Sequence, residues 1–423
     1  MGVIQELLQG IPLPRLVKVH QKFAAPEVTD LPGVLREELA KAGVGDRIKP
    51  GMKIAIAVGS RGVAEIPTIT RVTVEEIKKR GGLPFVVPAM GSHGGATAAG
   101  QQNVLAELGV TEASVGCPIV SSMEVVEVGR LPNGLAVLID KKAYESDGIV
   151  IINRVKTHTA FHGPCESGLA KMLSIGLGKQ KGADSCHAYS FKHMAEHVIE
   201  MAKIKIAKAP VLFGVATIEN AYDRVAKVVT VPAEKIIEID QQLLIESKTQ
   251  MPRIMFDPMD VLIVDRIGKE ISGDGMDPNI TGRYPTPYAS GGPVVNKLVV
   301  LDLTEKTHGN ANGMGAADFT TKKLVDKADW DYTYANALTS TVCEPIRIPM
   351  VLASDKEAIL AAVKTSFARD LTKVRLVRIK DTLHLGEIYI SESLLPEAEA
   401  NPDIEVCGLP IEMKFDASGN LID

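Results

Sequence analysis

The sequence predicts an α/β protein of two Rossmann-like domains, each with a mainly parallel sheet and with a cleft between them. Three observations lead there. Short, near-continuous apolar runs alternate with amphipathic helical stretches. Glycine-bearing turns follow several of the runs, and 423 residues exceed what one hydrophobic core usually fills.

Strands are expected at residues 53–58, 84–88, 135–139, 148–153, 211–216, 261–264, 298–303 and 348–353. Residues 53–58 read Lys-Ile-Ala-Ile-Ala-Val and residues 148–153 read Gly-Ile-Val-Ile-Ile-Asn. Such runs lack polar alternation, as strands covered on both faces do. Helices are expected at residues 74–80, 98–108, 189–205, 320–327 and 356–367, with Thr97 and Asp355 where N-caps belong. A boundary is expected near Gln250-Met251-Pro252-Arg253, where one block closes and a fresh strand begins. The expected division is an N-terminal cofactor-binding α/β domain over residues 1–252 and a C-terminal α/β domain over 253–375, with residues 376–423 folding back onto the first.

With 45% hydrophobic and 23% charged residues, the composition is that of an ordinary folded protein rather than a disordered one. A net charge of -5 offers no basic face, so nucleic acid and membrane surfaces are not expected partners. The five cysteines are scattered, odd in number and without CxxC spacing, which reads as reduced thiols in the cytoplasm. The opening residues lack a basic stretch followed by an apolar core and cleavage site. No apolar run approaches the roughly 20 residues that span a bilayer. Met1-Gly2 begins like a myristoylation signal, but Glu6 stands where Ser or Thr is needed.

Two expected strands end in turns of the same kind, Gly59-Ser60-Arg61-Gly62 and Gly91-Ser92-His93-Gly94. Loops at the carboxyl ends of strands in an open α/β sheet are where ligands bind, so Arg61 and His93 are expected to face one crevice. Five of the nine histidines, His158, His162, His187, His193 and His197, fall in one window. The same window contains Glu166-Ser167-Gly168-Leu169-Ala170-Lys171. Backbone N–H groups of a glycine turn opening a helix make an anion site, and a lysine one turn in adds a positive charge. Taken alone that loop says little, because most lysines so placed are solvated. His193 and His197 have metal-ligand spacing on a helix. No Glu follows His193, however, so the HExxH pattern is absent and a solvated helix face is the plainer reading. The second half carries glycine-rich loops at residues 271–279 and 309–315.

The order of these elements carries a resemblance. Arg61 precedes His93 by 32 residues, Ser167-Gly168-Leu169-Ala170-Lys171 follows, and His187 stands 16 residues beyond Lys171. In this the chain resembles the nickel-pincer-cofactor-dependent lactate racemase family over most of its length. The resemblance implies that Lys171 forms a thioamide link to pyridinium-3-thioamide-5-thiocarboxylic acid mononucleotide, the nickel-pincer nucleotide, within a loop that includes Ser167 and Gly168. It also implies that His187 is the protein ligand to nickel, and that His93 and a second histidine are paired acid/base groups. The family's spacing for that second histidine falls on Phe161, between His158 and His162, and leaves both open. His158 is favoured because it directly follows a strong buried strand. Arg61 is the implied carboxylate anchor, and Lys269 or Arg283 from the second domain is placed to close over the same anion.

The implied activity is that of a racemase or epimerase inverting C2 of a small 2-hydroxy acid. The C–H bond there is barely acidic, so hydride transfer to the cofactor, giving a planar 2-keto acid, avoids a carbanion. The hydroxyl proton then needs bases on opposite sides, and histidine, with a pKa of about 6.5, serves either way near neutral pH. Sulfur donors, a carbon and an imidazole suit nickel, and Cys186 reads as a small buried thiol rather than a ligand. The implied partners are the 2-hydroxy acid and the cofactor-synthesis enzymes that load the protein. Two departures from the family pattern bear on substrate. Gly59-Ser60-Arg61-Gly62 replaces Asp-x-Thr-Arg-Pro, and Leu169 replaces the second loop glycine, so a substrate other than lactate is expected. The alternatives are a zinc-dependent hydrolase built on His187, His193 and His197, a Schiff-base enzyme built on Lys171, and a non-enzymatic sugar-acid or nucleotide-binding protein.

Overall fold

The computed structural model describes residues 2–60 and 62–422. The chain divides into two compact units, Ala24–Met251 and Met1–Phe23 with Pro252–Asp423. Both are mixed α/β, and parallel pairing predominates in the main sheet of each.

In the unit Ala24–Met251 five strands lie in the order Leu83–Pro88, Lys53–Val58, Gly148–Arg154, Val211–Glu219, Val225–Pro232. The first four are parallel and the last closes an antiparallel hairpin. Ile54, Ile56, Val58, Val150 and Ile152 pack with Ile69, Val72 and Ile77 of the helix Ile66–Lys79. Ala55, Ala57, Ile149 and Ile151, on the opposite face, are equally buried. Coverage on both faces is the physical reason for the unbroken apolar runs. After the central strand the chain adds Leu83–Pro88 on one side and later Gly148–Arg154 on the other. That reversal is a topological switch point, and in open α/β sheets ligands bind at the carboxyl ends of the strands beside such a point.

The other unit holds an eight-stranded sheet in the order Met350–Leu352, Phe319–Thr321, Val295–Leu303, Met259–Ile267, Leu376–Ile379, Glu387–Ser391, Leu16–Gln21, Ile404–Val406. The first five strands are parallel and the rest pair antiparallel. The expectation that residues 376–423 fold back onto the N-terminal domain is corrected here. Leu376–Ile379 pairs in parallel with Met259–Ile267, and Glu387–Ser391 and Leu16–Gln21 continue that sheet. The helix Asp355–Thr365 packs against this sheet and supplies the crossover that a parallel strand requires.

Local differences have local causes. Thr97 caps its helix as expected, accepting from Gly100 N at 3.0 Å. Ser354 rather than Asp355 caps the later helix, accepting from Glu357 N, while the Asp355 carboxylate binds Lys323 at 2.8 Å. The helix expected from residue 189 begins only at Met194, because Ser190 has a φ of 69° and a short 3-10 turn, Phe191–His193, intervenes. His193 therefore sits at the helix entrance, not one turn along its face. Among the described residues no helix is long and apolar enough to cross a membrane.

Candidate functional site

The three adjacent strands Leu83–Pro88, Lys53–Val58 and Gly148–Arg154 run parallel and deliver their carboxyl ends to one edge of the sheet. Each is followed by a loop: the turn that contains Ser60 after the central strand, that of His93 after Leu83–Pro88, and that of His158 after Gly148–Arg154. Ser60 Oγ is hydrogen-bonded to His93 Nδ1, so the first two turns meet. Arg61 lies outside the described residues, and the carboxylate contact expected of it lies there too.

The His93 turn is pinned from behind. Gly91 N donates to Gly176 O at 3.1 Å, and a Cβ at Gly176 would lie 2.6 Å from Ala89 O, so glycine is what permits this approach. Buried Gln101 donates from Nε2 to the carbonyls of Gly91 at 2.9 Å and His93 at 3.2 Å. Its Oε1 accepts from Lys179 at 3.1 Å. Lys179 is wholly buried, donates also to Pro88 O, and forms an ion pair with Asp140 at 3.1 Å. Burial pulls the Lys179 pKa down, and the Asp140 carboxylate opposes that pull.

Lys171 lies half-buried on the short helix Leu169–Ser174. Lys156 and Ser167 exchange backbone hydrogen bonds of 2.9 and 3.1 Å, closing a loop that contains His158 and His162. Asn153 Nδ2 donates to Gly168 O at 2.8 Å and ties the start of the helix to the end of its strand. The anion expected at this helix start is present, but it belongs to the protein. Asp240 Oδ1 accepts from Leu169 N at 3.0 Å and Oδ2 from Ala170 N at 2.9 Å. A Cβ on Gly168 would lie 2.4 Å from Asp240 Oδ1. Gly168 thus makes room for a carboxylate, and the reading of Ser167 and Gly168 as an open anion cradle is corrected. Burial pushes Asp240 up to about 6, against its two backbone hydrogen bonds. At the other end, Lys205 Nζ donates to Leu173 O at 2.6 Å and Ser174 O at 2.9 Å.

Lys205 makes stability depend on pH. Burial lowers it from its ordinary 10.5 to about 7, so its contribution is complete above 10.5 and is lost as pH falls toward 7. Buried Cys186, pushed up from 9.0 to about 12, acts in the opposite sense and only above pH 9. Urea unfolding is therefore expected to show stability rising between about pH 7 and 9, with the rise much reduced in Lys205→Met. Identical slopes in the two proteins would contradict this assignment.

The histidines separate into three settings. His158 accepts from Ala160 N at Nδ1, 3.0 Å, and its ring lies 4.5 Å from Phe161 and 6.5 Å from Phe191 between centroids. His187, which ends the helix Lys179–His187, stacks on the same Phe191 at 5.4 Å and 19°. His162 instead turns to Glu166, with Nδ1 and Oε2 at 3.0 Å. Glu166, itself buried, also accepts from His158 N at 2.7 Å and Lys248 Nζ at 3.2 Å. His193 stacks on His197 at 5.7 Å, and His197 is buried with Nε2 3.0 Å from Asn133 Nδ2 and Nδ1 3.9 Å from Cys186 Sγ. Burial lowers the His197 pKa, with the neighbouring His193 adding to the effect. Among the described residues no three His, Cys, Asp or Glu side chains are grouped to hold a metal ion. The zinc cluster of His187, His193 and His197 is not formed, because His197 is committed to Asn133 and the interior.

In the other unit, Lys269 Nζ donates to Gly273 O at 2.7 Å, and Arg283 binds Asp318 at 2.9 Å and the carbonyls of Val295 and Asn296. Residues of the two glycine-rich loops line, with Arg283 and Arg347, a cavity of about 270 Å³.

Residues 11–198 match the family model described as the lactate racemase N-terminal domain. This stretch is similar to the lactate racemase N-terminal domain. It holds every histidine and lysine of the site at the sheet edge, while Asp240 and Lys205 lie beyond it. Among solved structures, a protein from Thermotoga maritima is 12% identical over 85% of this chain and 99% of its own, with a TM-score of 0.54. The lactate racemase apoprotein from Thermoanaerobacterium thermosaccharolyticum is 15% identical over 96% of this chain and 94% of its own, with a TM-score of 0.50. At these identities the likeness is one of fold, and it agrees with the mixed α/β architecture. No curated protein matches the sequence. Within residues 11–198, sequence reasoning missed Gln101 and Lys179. Both look like surface residues in a linear reading, and only their burial behind His93 reveals them.

Proposed function

We propose that this protein is a racemase or epimerase that inverts C2 of a small 2-hydroxy acid with a nickel-pincer nucleotide carried on Lys171. The observation that carries the reading is that Ser60 with His93, and His158, leave three neighbouring parallel strands at one sheet edge, inside a stretch similar to the lactate racemase N-terminal domain. The donor chemistry fits such a cofactor: a half-buried amine on a clamped helix, and an imidazole, His187, stacked on Phe191. A nucleotide phosphate does not fit the start of that helix, where Asp240 already sits.

When bound, the cofactor supplies a centre that takes up the C2 hydrogen with its electron pair and returns it to either face. Lys171 would be the covalent anchor and His187 would hold the nickel. His158, whose Nδ1 accepts the Ala160 N–H, carries its ring proton at Nε2 when neutral and is set to donate to the substrate oxygen. His93, in the tautomer that donates from Nδ1 to Ser60 Oγ, has its lone pair at Nε2 and takes the starting hydroxyl proton in the same turnover in which His158 donates one, the two exchanging roles in the reverse direction. Phe161 and Phe191 keep the region around His158 and His187 apolar, which strengthens the electrostatic interactions of those rings. His162, held by Glu166, orients the loop that carries His158. Arg61 is assigned the substrate carboxylate.

The test is the protein expressed with cofactor-synthesis enzymes and offered single enantiomers of a panel of 2-hydroxy acids. Stoichiometric nickel and convergence of one substrate to both C2 configurations are expected. A C2-deuterated substrate should keep its label in the inverted product made in ordinary water, because the hydrogen is returned rather than exchanged. Zinc in place of nickel with hydrolytic products, or complete loss of the label to solvent, would overturn the reading.

A further inference from the structure

We infer that Asp240 and Lys205 are positioning residues that grip the Lys171 helix by its two ends and so fix where the lysine amine is presented. The inference rests on the reading of Lys171 as the attachment point and adds to it two residues outside the matched domain.

The helix Leu169–Ser174 has six residues, too few to be stable unaided. A helix this short is almost all ends, and ends leave N–H and C=O groups without helical partners. Asp240, from the helix Ile236–Gln250, accepts two of the first N–H groups through both carboxylate oxygens. Lys205, from the helix Met194–Lys208, donates to two of the last carbonyls through a single nitrogen. Asn153 adds a third tie at Gly168 O. The acidic group at the start and the basic group at the end also match the helix dipole.

Both gripping side chains are buried, and burial disfavours the charged form of each. An apolar residue would fill either position with less desolvation. What the ionisable groups add is geometry, since each makes two directional bonds to backbone and neither touches the Lys171 side chain in the bonds described. Gly168 supports the same conclusion, because a Cβ there would collide with the Asp240 carboxylate. Lys171 thus sits mid-helix between two fixed ends, and rotation of the helix about its axis would break bonds at both.

The experiment uses Asp240→Asn, Lys205→Met and Lys205→Gln, with Lys171→Ala as control, in the full chain. Each is expressed with the cofactor-synthesis enzymes, and the mass-shifted fraction is read by intact mass spectrometry. The unloaded proteins are separately acetylated with an N-hydroxysuccinimide ester, and labelling of Lys171 is compared by peptide mass with that of exposed Lys235. Asn at 240 keeps the shape but accepts from only one N–H, so loading and the Lys171-to-Lys235 labelling ratio should each change about tenfold, the equivalent of one hydrogen bond of about 1.4 kcal/mol. Lys205→Met should act in the same sense, and Lys205→Gln, which still donates, should recover part of the loss. A residue that serves only overall stability would lower the melting temperature without moving the labelling ratio in folded protein at 25 °C. If Lys171→Ala fails to load while the variants at 240 and 205 load and label like the parent, this inference falls and the attachment reading stands. If Lys171→Ala still acquires the mass shift, the attachment reading falls and the inference with it. Should Asp240→Asn not fold, the two Lys205 variants decide by the same measures, and should none fold, the labelling ratio at low urea decides: a constant ratio until global unfolding overturns the inference.

Discussion

Lys171→Ala should give a folded protein that acquires no covalent cofactor, whereas His93→Ala should load normally and turn over about 10²–10⁴-fold more slowly. The contrast follows from how each side chain is held. The bonds that fix the Lys171 helix go to backbone groups of residues 168–170 and 173–174, none of which the substitution touches. Alanine is also the best helix former, so the helix should survive. His93 is an exposed residue whose carbonyl, not its ring, is bound by Gln101. Removing the imidazole loses the Ser60 contact and a proton-transfer group, and leaves the turn anchored. Intact mass measures loading, and chiral chromatography measures turnover. Full racemase activity in Lys171→Ala, or undiminished turnover in His93→Ala, would refute the corresponding role.

What was legible in the sequence is what depends on local pattern. The runs at residues 53–58 and 148–153 announce two-sided burial because no polar residue interrupts them, and the turns that follow Lys53–Val58 and Leu83–Pro88 come together through Ser60 and His93. Long-range pairing was not legible. Leu376–Ile379 reads Leu-Val-Arg-Ile, and nothing within it says that its partner is Met259–Ile267. Nor does Leu16–Gln21 signal that it joins a sheet built mostly by the far end of the chain.

The residues behind the site failed to register for a different reason, and a usable signal existed. Lys205 stands on the buried stripe Met194, His197, Val198, Met201, Ala202, and Asp240 on the stripe Ile236, Leu243, Leu244, Ser247. A charged residue in register with an apolar stripe is expected to be buried and therefore bonded. The Asp240 carboxylate at the start of the Lys171 helix is not legible from the glycine there, because it comes from a helix far along the chain.

Asp140→Ala should destabilise the protein by about 3–5 kcal/mol, the usual consequence of stripping one partner from a buried ion pair. Neither Lys179 nor Asp140 has any exposed side-chain surface, and they stand 3.1 Å apart. The two contribute unequally to the neighbourhood. Lys179 keeps Pro88 O and Gln101 Oε1 when Asp140 is lost, so its amine stays bonded but its charge is unopposed. Asp140 has a second duty, accepting from Ala143 N at 2.9 Å as the cap of a short helix, so its removal frees a buried N–H as well. Replacing both residues, as Asp140→Ala with Lys179→Met, should recover much of the loss despite the missing cap, because the uncompensated charge goes too. Urea unfolding measures all three proteins. Because Lys179 also fixes the Gln101 amide that holds the carbonyls of Gly91 and His93, the double variant should remain folded yet turn over more slowly than the parent. A single variant within about 1 kcal/mol of the parent, or strictly additive effects, would mean that the pair is not coupled and that the His93 turn is held by Gln101 without it.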